Sequence, residues 1–291
     1  MAEQINQMLQ EYRESRLSRR EFIYKAVVLT GSFAAATSLV DLLISPVADA
    51  AQVDPNDPAL TSADVKYDST DGTSINAYIS RPKENGKWPA VIVIHDNGAL
   101  DDHNRDIGRR LAKAGYVALV ADLLSRQGGT ASFPDREAVA QGISKTDQES
   151  IIKDLTGAVN YLKGQRFVLS NKVGVVGFCW GGGNSLLIAT RNKDFAAVVV
   201  YYGRNPKNLD DVQNINAPVL AHYGELDKPI TSEVPKLEEA MRKYGKSFEY
   251  KVYAGAPHAF NSDNRPDRYR PEAAKEAWNR TLQFFKAHLQ S

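Results

Sequence analysis

The sequence predicts an α/β fold built on a mostly parallel sheet with helices on both faces. Three observations carry this reading. Apolar runs alternate along the chain with stretches of helical spacing. Most of those runs are continuous rather than alternating in polarity. One of them ends in a Gly-rich turn, "GFCWGGG", that leads directly into a helix-compatible stretch. Uninterrupted apolar strands suit a sheet buried on both faces, and intervening helices supply the crossovers that parallel strands need.

Taken in order, residues 51–62 are polar and Pro-rich, as in a linker or an extended arm. "DVKYDST" and "SINAYIS" alternate apolar and polar residues around Asp71-Gly72, a hairpin with a D-G turn. "PAVIVIH" is a buried strand. "HNRDIGRRLAKAG" sets Ile107, Leu111 and Ala114 on one helical face with Gly115 as its cap, and "YVALVAD" is the next strand. Residues 123–148 form a polar connection long enough to be a functional loop. "ESIIKDLTGAVNYLKG" has helical spacing at Ile151, Leu155, Val159 and Leu162. "KVGVVGF", "AAVVVYY", "PVLAHYG" and "FEYKVYAG" are further strands. Helices follow Cys179, run to about Tyr244, and close the chain over residues 271–289. With no internal repeat and no second linker, residues 63–291 make one domain.

The first fifty residues have a different character. Arg19 and Arg20 precede Phe22 and Lys25; an uncharged run over residues 26–40 follows, and "VADAAQ" offers an A-x-A site at Ala48-Asp49-Ala50. This order matches a twin-arginine export signal, so residues 1–50 are expected to be a signal peptide that engages the twin-arginine export machinery and delivers a periplasmic or exported bacterial protein. The apolar run is shorter than the ~20 residues of a membrane-spanning helix, so no stable membrane span is expected.

Composition excludes other classes. The chain has 43% hydrophobic and 24% charged residues and a net charge of +1, without a basic stripe, so nucleic acid is not an expected partner. One cysteine precludes an intrachain disulfide, and His95, His103, His222, His258 and His288 show no metal-ligand spacing. No metal and no organic cofactor is implied.

"GFCWG" has the form of a nucleophile elbow with Cys179 at its centre. Gly177 and Gly181 leave room for a strand that turns straight into a helix, and Gly182 and Gly183 let that helix pack close to the strand. A thiol at a helix N-terminus is favoured as thiolate, and the Trp180 N–H is one candidate oxyanion donor. An elbow nucleophile needs an acid and then a histidine at later strand ends. Asp227 in "GELDKPI" and His258 in "GAPHAF" have that order. Glu225 competes with Asp227 but lies closer to its strand end; His222, within its strand, points to the core. A Gly-rich phosphate loop would want Lys-Ser/Thr after the glycines, where Asn184-Ser185 stand, and a buried inert thiol remains the structural alternative.

With these motifs, together with "VIVIHDNGAL" and "GRRLAKAGYVALVADLL", the chain resembles the dienelactone hydrolase family of α/β-hydrolases from about Asp64 to the last helix. The resemblance implies a small-molecule ester or lactone substrate, attack by Cys179, proton handling by His258 aligned by Asp227, and an oxyanion held by the N–H groups of Trp180 and Asn97; an unperturbed imidazole pKa of ~6.5 suggests a neutral His258 at neutral pH. A family glutamate that holds the resting thiol corresponds here to Asp96, one carbon shorter, which either does the same work or only braces the loop. The family arginine that grips the substrate carboxylate corresponds to Asn261. Arg126, Arg136 and Trp180 are further substrate-binding candidates, and Arg265, Arg268 and Arg270 lie close behind Asn261. A rival reading from another class is a periplasmic binding or scavenging protein on a hydrolase scaffold that no longer turns over.

Overall fold

The computed structural model describes residues 53–290 and five helical residues before them, Glu21, Tyr24, Lys25, Val27 and Val28. The export segment expected over residues 1–50 otherwise lies outside the described residues. By its contacts the chain divides into Met1–Asp49 and Ala50–Ser291. No helix among the described residues is long and apolar enough to cross a membrane.

Eight strands form one sheet: β1 (Leu60–Asp68), β2 (Ser74–Pro82), β3 (Trp88–Ile94), β4 (Val117–Ala121), β5 (Val168–Phe178), β6 (Phe195–Tyr201), β7 (Val219–Gly224) and β8 (Phe248–Tyr253). Their spatial order is β1-β2-β4-β3-β5-β6-β7-β8. The β1–β2 and β2–β4 pairings are antiparallel and the remaining five parallel. The hairpin between β1 and β2 turns at Gly72, whose φ of +82° is one that glycine adopts without a steric penalty.

The helices are α1 (Asp102–Lys113), α2 (Arg136–Ser144), α3 (Gln148–Lys163), α4 (Trp180–Arg191), the short α5 (Lys228–Thr231), α6 (Val234–Lys243) and α7 (Pro271–Leu289). Strand alternation shows that they cover both faces. Val173 and Val175 of β5 join the core formed with Leu155 of α3, Leu186 of α4 and Leu237 of α6. Gly174, between them, faces Phe285 and Leu289 of α7. Likewise Val120 of β4 meets Gly108 of α1, while Leu119 and Ala121 point to the other core. Asp101 caps α1 by accepting from the Asn104 N–H, and Gly115 follows its end at φ +91°. Ala114 is the C-cap rather than a member of the buried face.

Two segments depart from the sequence expectations. The connection over residues 123–148 is not an open loop: it contains α2, whose Val139 and Ile143 form a small second core with Ala99 and Leu124, packed against Phe133 and Trp180. Its polar composition hides this because the cluster uses few apolar residues. Over its described residues, 53–62, the arm is more ordered than a linker, since β1 begins at Leu60 and Val53 is docked. The Val53 N–H donates to Asp106 Oδ1 at 2.6 Å, and its carbonyl accepts from Arg109 Nε at 2.8 Å.

Asp106 also takes Arg110 Nε at 2.6 Å, and Arg110 reaches on to Asp263. Asp106, Arg109 and Arg110 are all buried. Removing one partner from such a network leaves buried charge uncompensated, a loss of roughly 3–5 kcal/mol. Asp106→Ala is therefore expected to lower stability by that order, read as a fall in the denaturant midpoint; an unchanged midpoint would mean that the network contributes nothing to holding the arm.

Candidate active site

Cys179 stands where β5 meets α4, with φ +55° and ψ −115°. Two close approaches explain its flanking glycines. A Cβ on Gly177 would lie 2.0 Å from the Gly181 carbonyl oxygen, and one on Gly181 would lie 2.2 Å from that of Ile94. The Cys179 N–H is held by the Tyr201 carbonyl at 3.0 Å. The Trp180 N–H opens α4, where a helix supplies no acceptor of its own.

Two later strand ends bring their side chains to the thiol. Asp227 follows β7 and His258 follows β8. His258 Nδ1 donates to Asp227 Oδ2 at 2.6 Å, and Nε2 lies 3.0 Å from Cys179 Sγ. The two loops are tied together by the Leu226 N–H, which donates to the Ala256 carbonyl at 2.9 Å. Glu225 instead accepts from the Gly255 N–H at 2.9 Å and braces the histidine loop. His222 is buried in β7, bonded to Tyr253 and Thr281, and burial pushes its pKa down to about 3.

Ala99, Cys179, Tyr202 and Ala259 are the non-glycine residues with positive φ among the described residues, and all four lie in the segments around this site. Such backbone costs about 1–3 kcal/mol per residue and persists only where the surroundings enforce it. Tyr202, at φ +40°, is buried with its ring 5.1 Å from the His258 ring.

Burial pushes the His258 pKa down, but its bonds to Asp227 and Cys179, and their charges, outweigh burial and raise it to about 9. The expectation of a neutral ring rested on the unperturbed value; the raised pKa departs from it because composition cannot show a carboxylate and a thiol both within 3.0 Å of one ring.

A cleft of about 660 Å³ opens over the thiol. Cys179, His258 and both oxyanion candidates, Trp180 and Asn97, line it. Asp96 does not meet the thiol's hydrogen-bonding position, which His258 fills. Its Oδ1 accepts from the Gly98 N–H at 2.8 Å and Asn104 Nδ2 at 3.0 Å. Its Oδ2 faces Arg265 at 3.8 Å and Arg136 at 4.0 Å. Burial would raise its pKa, but those bonds and the nearby positive charges of His103 and Arg265 leave it lowered.

Of the substrate-binding candidates, Trp180 lines the cleft, stacked on His95 at 5.4 Å. Arg126 does not: Asp154 and Asp71 hold its guanidinium at 2.7 and 2.9 Å, on the hairpin side of the fold. Arg136 turns towards Asp96, and Asn261 is buried outside the cleft lining. Sequence reasoning missed Tyr202, Arg204 and Lys207, which also line the cleft. "YYGRNPK" stands at the end of β6, beside the elbow strand, and the strand-end rule used for Asp227 would have found it. Among the described residues, no cluster of three or more His, Cys, Asp or Glu side chains could hold a metal ion.

A family model, "Dienelactone hydrolase family", matches residues 75–289. A Methylorubrum extorquens protein assigned as a carboxymethylenebutenolidase is 35% identical over 94% of both chains. A Bradyrhizobium protein assigned as a 2-oxo-3-(5-oxofuran-2-ylidene)propanoate lactonase is 35% identical, covering 76% of this chain and 92% of that one. A crystal structure of a Klebsiella pneumoniae protein assigned as a dienelactone hydrolase superposes with a TM-score of 0.72 at 33% identity, over 78% of this chain and 98% of that one.

The raised His258 pKa has a definite sign in stability. The folded imidazole keeps its proton up to about 9, while an unfolded one loses it near ~6.5. Its stabilising contribution is full below ~6.5 and is lost as pH rises through about 9. Asp227→Asn removes the carboxylate partner, so the His258 titration followed by NMR is expected to move from about 9 towards ~6.5. A titration that stays near 9 would mean that Asp227 is not what holds the proton.

Proposed function

Because the chain belongs to the dienelactone hydrolase family, we propose that it cleaves a lactone or activated carboxylic ester through a thioester on Cys179, with His258 and Asp227 as its partners. The coarser statement, a hydrolase of lactones or esters, follows from the family itself. The observation that carries the finer one is the line of contacts from Asp227 Oδ2 through His258 to Sγ, at 2.6 and 3.0 Å.

The thiolate attacks the carbonyl carbon, and the carbonyl π electrons move to oxygen as a tetrahedral oxyanion. The N–H groups of Trp180 and Asn97 are the proposed donors to that charge. Collapse expels the enolate or alkoxide, which takes the Nε2 proton of imidazolium His258, leaving a thioester and a neutral ring. In a lactone the leaving oxygen stays tethered as the ring opens. Water then gives a proton to Nε2 as its oxygen attacks the thioester. The carboxylic acid departs, and the thiolate–imidazolium pair is restored.

A ring pKa of about 9 suits this cycle, because the proton is present for the leaving group at neutral pH. A thiolate leaves a tetrahedral intermediate more readily than an alkoxide does. Enol lactones and aryl esters are accordingly the favoured substrates, and simple alkyl esters and amides are poor ones.

Cys179→Ala is expected to reduce p-nitrophenyl acetate turnover by roughly 10⁴-fold or more while the far-ultraviolet circular dichroism is retained. In the unsubstituted protein, intact-mass measurement after rapid acid quench should find an acyl group on the peptide containing Cys179. Full activity in Cys179→Ala would remove the nucleophile assignment.

The export reading of residues 1–50 is proposed on its sequence pattern alone. Arg19→Lys with Arg20→Lys should leave a precursor-sized protein in the cytoplasm, whereas the natural sequence yields a periplasmic form beginning near Ala51. Equal fractionation of the two would remove the twin-arginine assignment.

A further inference from the structure

We propose that Tyr202 is the positioning residue that keeps the His258 imidazole aimed at the reacting carbonyl while the acyl group sits on Cys179, the stage at which the thiol no longer holds the ring. The inference rests on the hydrolase reading above and goes beyond it by assigning a residue to the second half of the cycle.

In the resting site the imidazole is fixed from two sides, by Asp227 at 2.6 Å and by Sγ at 3.0 Å. Acylation removes one of these holds. A thioester sulfur carries no charge and is a weak acceptor, so Nε2 is left facing the water it must activate. His258 lines the cleft with 26% of its side chain exposed, so the protein does not enclose the ring on that side. The single bond to Asp227 is then a pivot about which the ring can swing.

Tyr202 supplies a second restraint. Its ring lies 5.1 Å from the imidazole, tilted by 59°, and 5.5 Å from Phe260 at 72°. His258 and Phe260 thus meet one ring from two places in the same loop, and Ala259 between them has φ +63°. Phe260 is fully buried and packs on Tyr253 of β8 at 5.0 Å, which anchors the contact in the sheet. Tyr202 is itself buried and has φ +40°, an unfavourable conformation for a bulky aromatic residue. Two strained residues therefore face each other here, and the ring contact they bring about accounts for the strain.

The backbone of Tyr202 is wedged in place. Its N–H donates to the His222 carbonyl at 2.7 Å, which ties it to β7. The first turn of α4 presses on its other side. A Cβ on Gly182 would lie 2.5 Å from the Tyr201 carbonyl oxygen, and one on Gly203 would lie 2.3 Å from the Gly182 carbonyl carbon. Burial holds the Tyr202 hydroxyl protonated, so the ring meets the imidazole as a neutral surface and not as a base competing for its proton.

The two halves of the cycle depend on this restraint unequally. When the thioester forms, the contact between Sγ and Nε2 still aligns the ring. When it breaks down, water gives a proton to Nε2 as its oxygen bonds to the carbonyl carbon, and the C–S bond then breaks with its electrons returning to sulfur. Misplacing Nε2 by about 1 Å costs that second step on the order of 10²-fold.

Rapid mixing with p-nitrophenyl acetate separates the steps. In Tyr202→Leu the thioester is expected to form within about threefold of the unsubstituted rate and to break down about 10²-fold more slowly, giving a burst of about one p-nitrophenolate per site before a slow steady state. Tyr202→Phe, which keeps the ring, should restore breakdown to within about threefold. If the leucine variant does not fold, Tyr202→Asn takes its place, since asparagine tolerates positive φ. Equal losses in both steps, as from a role in packing alone, would overturn the inference, as would no loss or a phenylalanine variant that restores nothing. In Cys179→Ala, where the thiol contact is absent, nuclear Overhauser contacts between the Tyr202 and His258 rings should persist; their loss would overturn it without any turnover being measured. No p-nitrophenolate release by the unsubstituted protein would instead overturn the hydrolase reading.

Discussion

The active end of the molecule is organised around one imidazole held between a carboxylate and a thiol. Asp227 lies 2.6 Å from one side of the ring and Cys179 3.0 Å from the other, and the three residues come from the ends of three different strands. A parallel sheet delivers that convergence, since all its strands present their C-terminal ends to the same edge. The raised pKa of the ring follows from the geometry: although burial lowers it, the bonds to Asp227 and Cys179 outweigh burial and bring it to about 9. Lengthening either contact would shift that balance towards burial and a neutral ring.

Holding three side chains from separate loops at such distances requires a stiff support. The strained backbone of Cys179, Tyr202 and Ala259 is tolerable because it rests on strands whose central residues are fully buried. Cys179 is tied to Tyr201 and Tyr202 to His222 through backbone bonds of 3.0 and 2.7 Å, so β5, β6 and β7 are laced together just at the level of the site. The glycines of the elbow belong to the same logic. Their missing side chains are occupied by the backbone of β3, of the turn itself and of the segment after β6.

What could be read from the sequence follows the range of each interaction. The strands were legible because burial on both faces demands uninterrupted apolar residues over a short local window. The elbow was legible because its sterics are local and require glycine at fixed offsets. Asp227 and His258 could be placed with Cys179 through strand order, yet the distances could not be read, since His258 meets the thiol across 79 residues of chain. The helix within residues 123–148 was missed because its apolar face is short and is completed by Leu124 and Phe133, which lie outside it. The charge partners of the arginines were beyond sequence reasoning: Arg126, a substrate-binding candidate, is held by Asp154, whereas Arg204, which the sequence reading did not single out, lines the cleft.

The same reasoning explains why Asp96 behaves unlike the longer glutamate that the family resemblance placed there. A carboxylate attached by one methylene stays close to its own backbone, where the Gly98 N–H and Asn104 lie within 3.0 Å. Those bonds shape the turn that carries Asn97 and Ala99, and they keep the acid charged in spite of its burial. The remaining oxygen faces two guanidinium groups from opposite segments, α2 and the stretch after His258. Asp96 thereby links α2 and the stretch after His258 through charge, while the thiol is left to the imidazole.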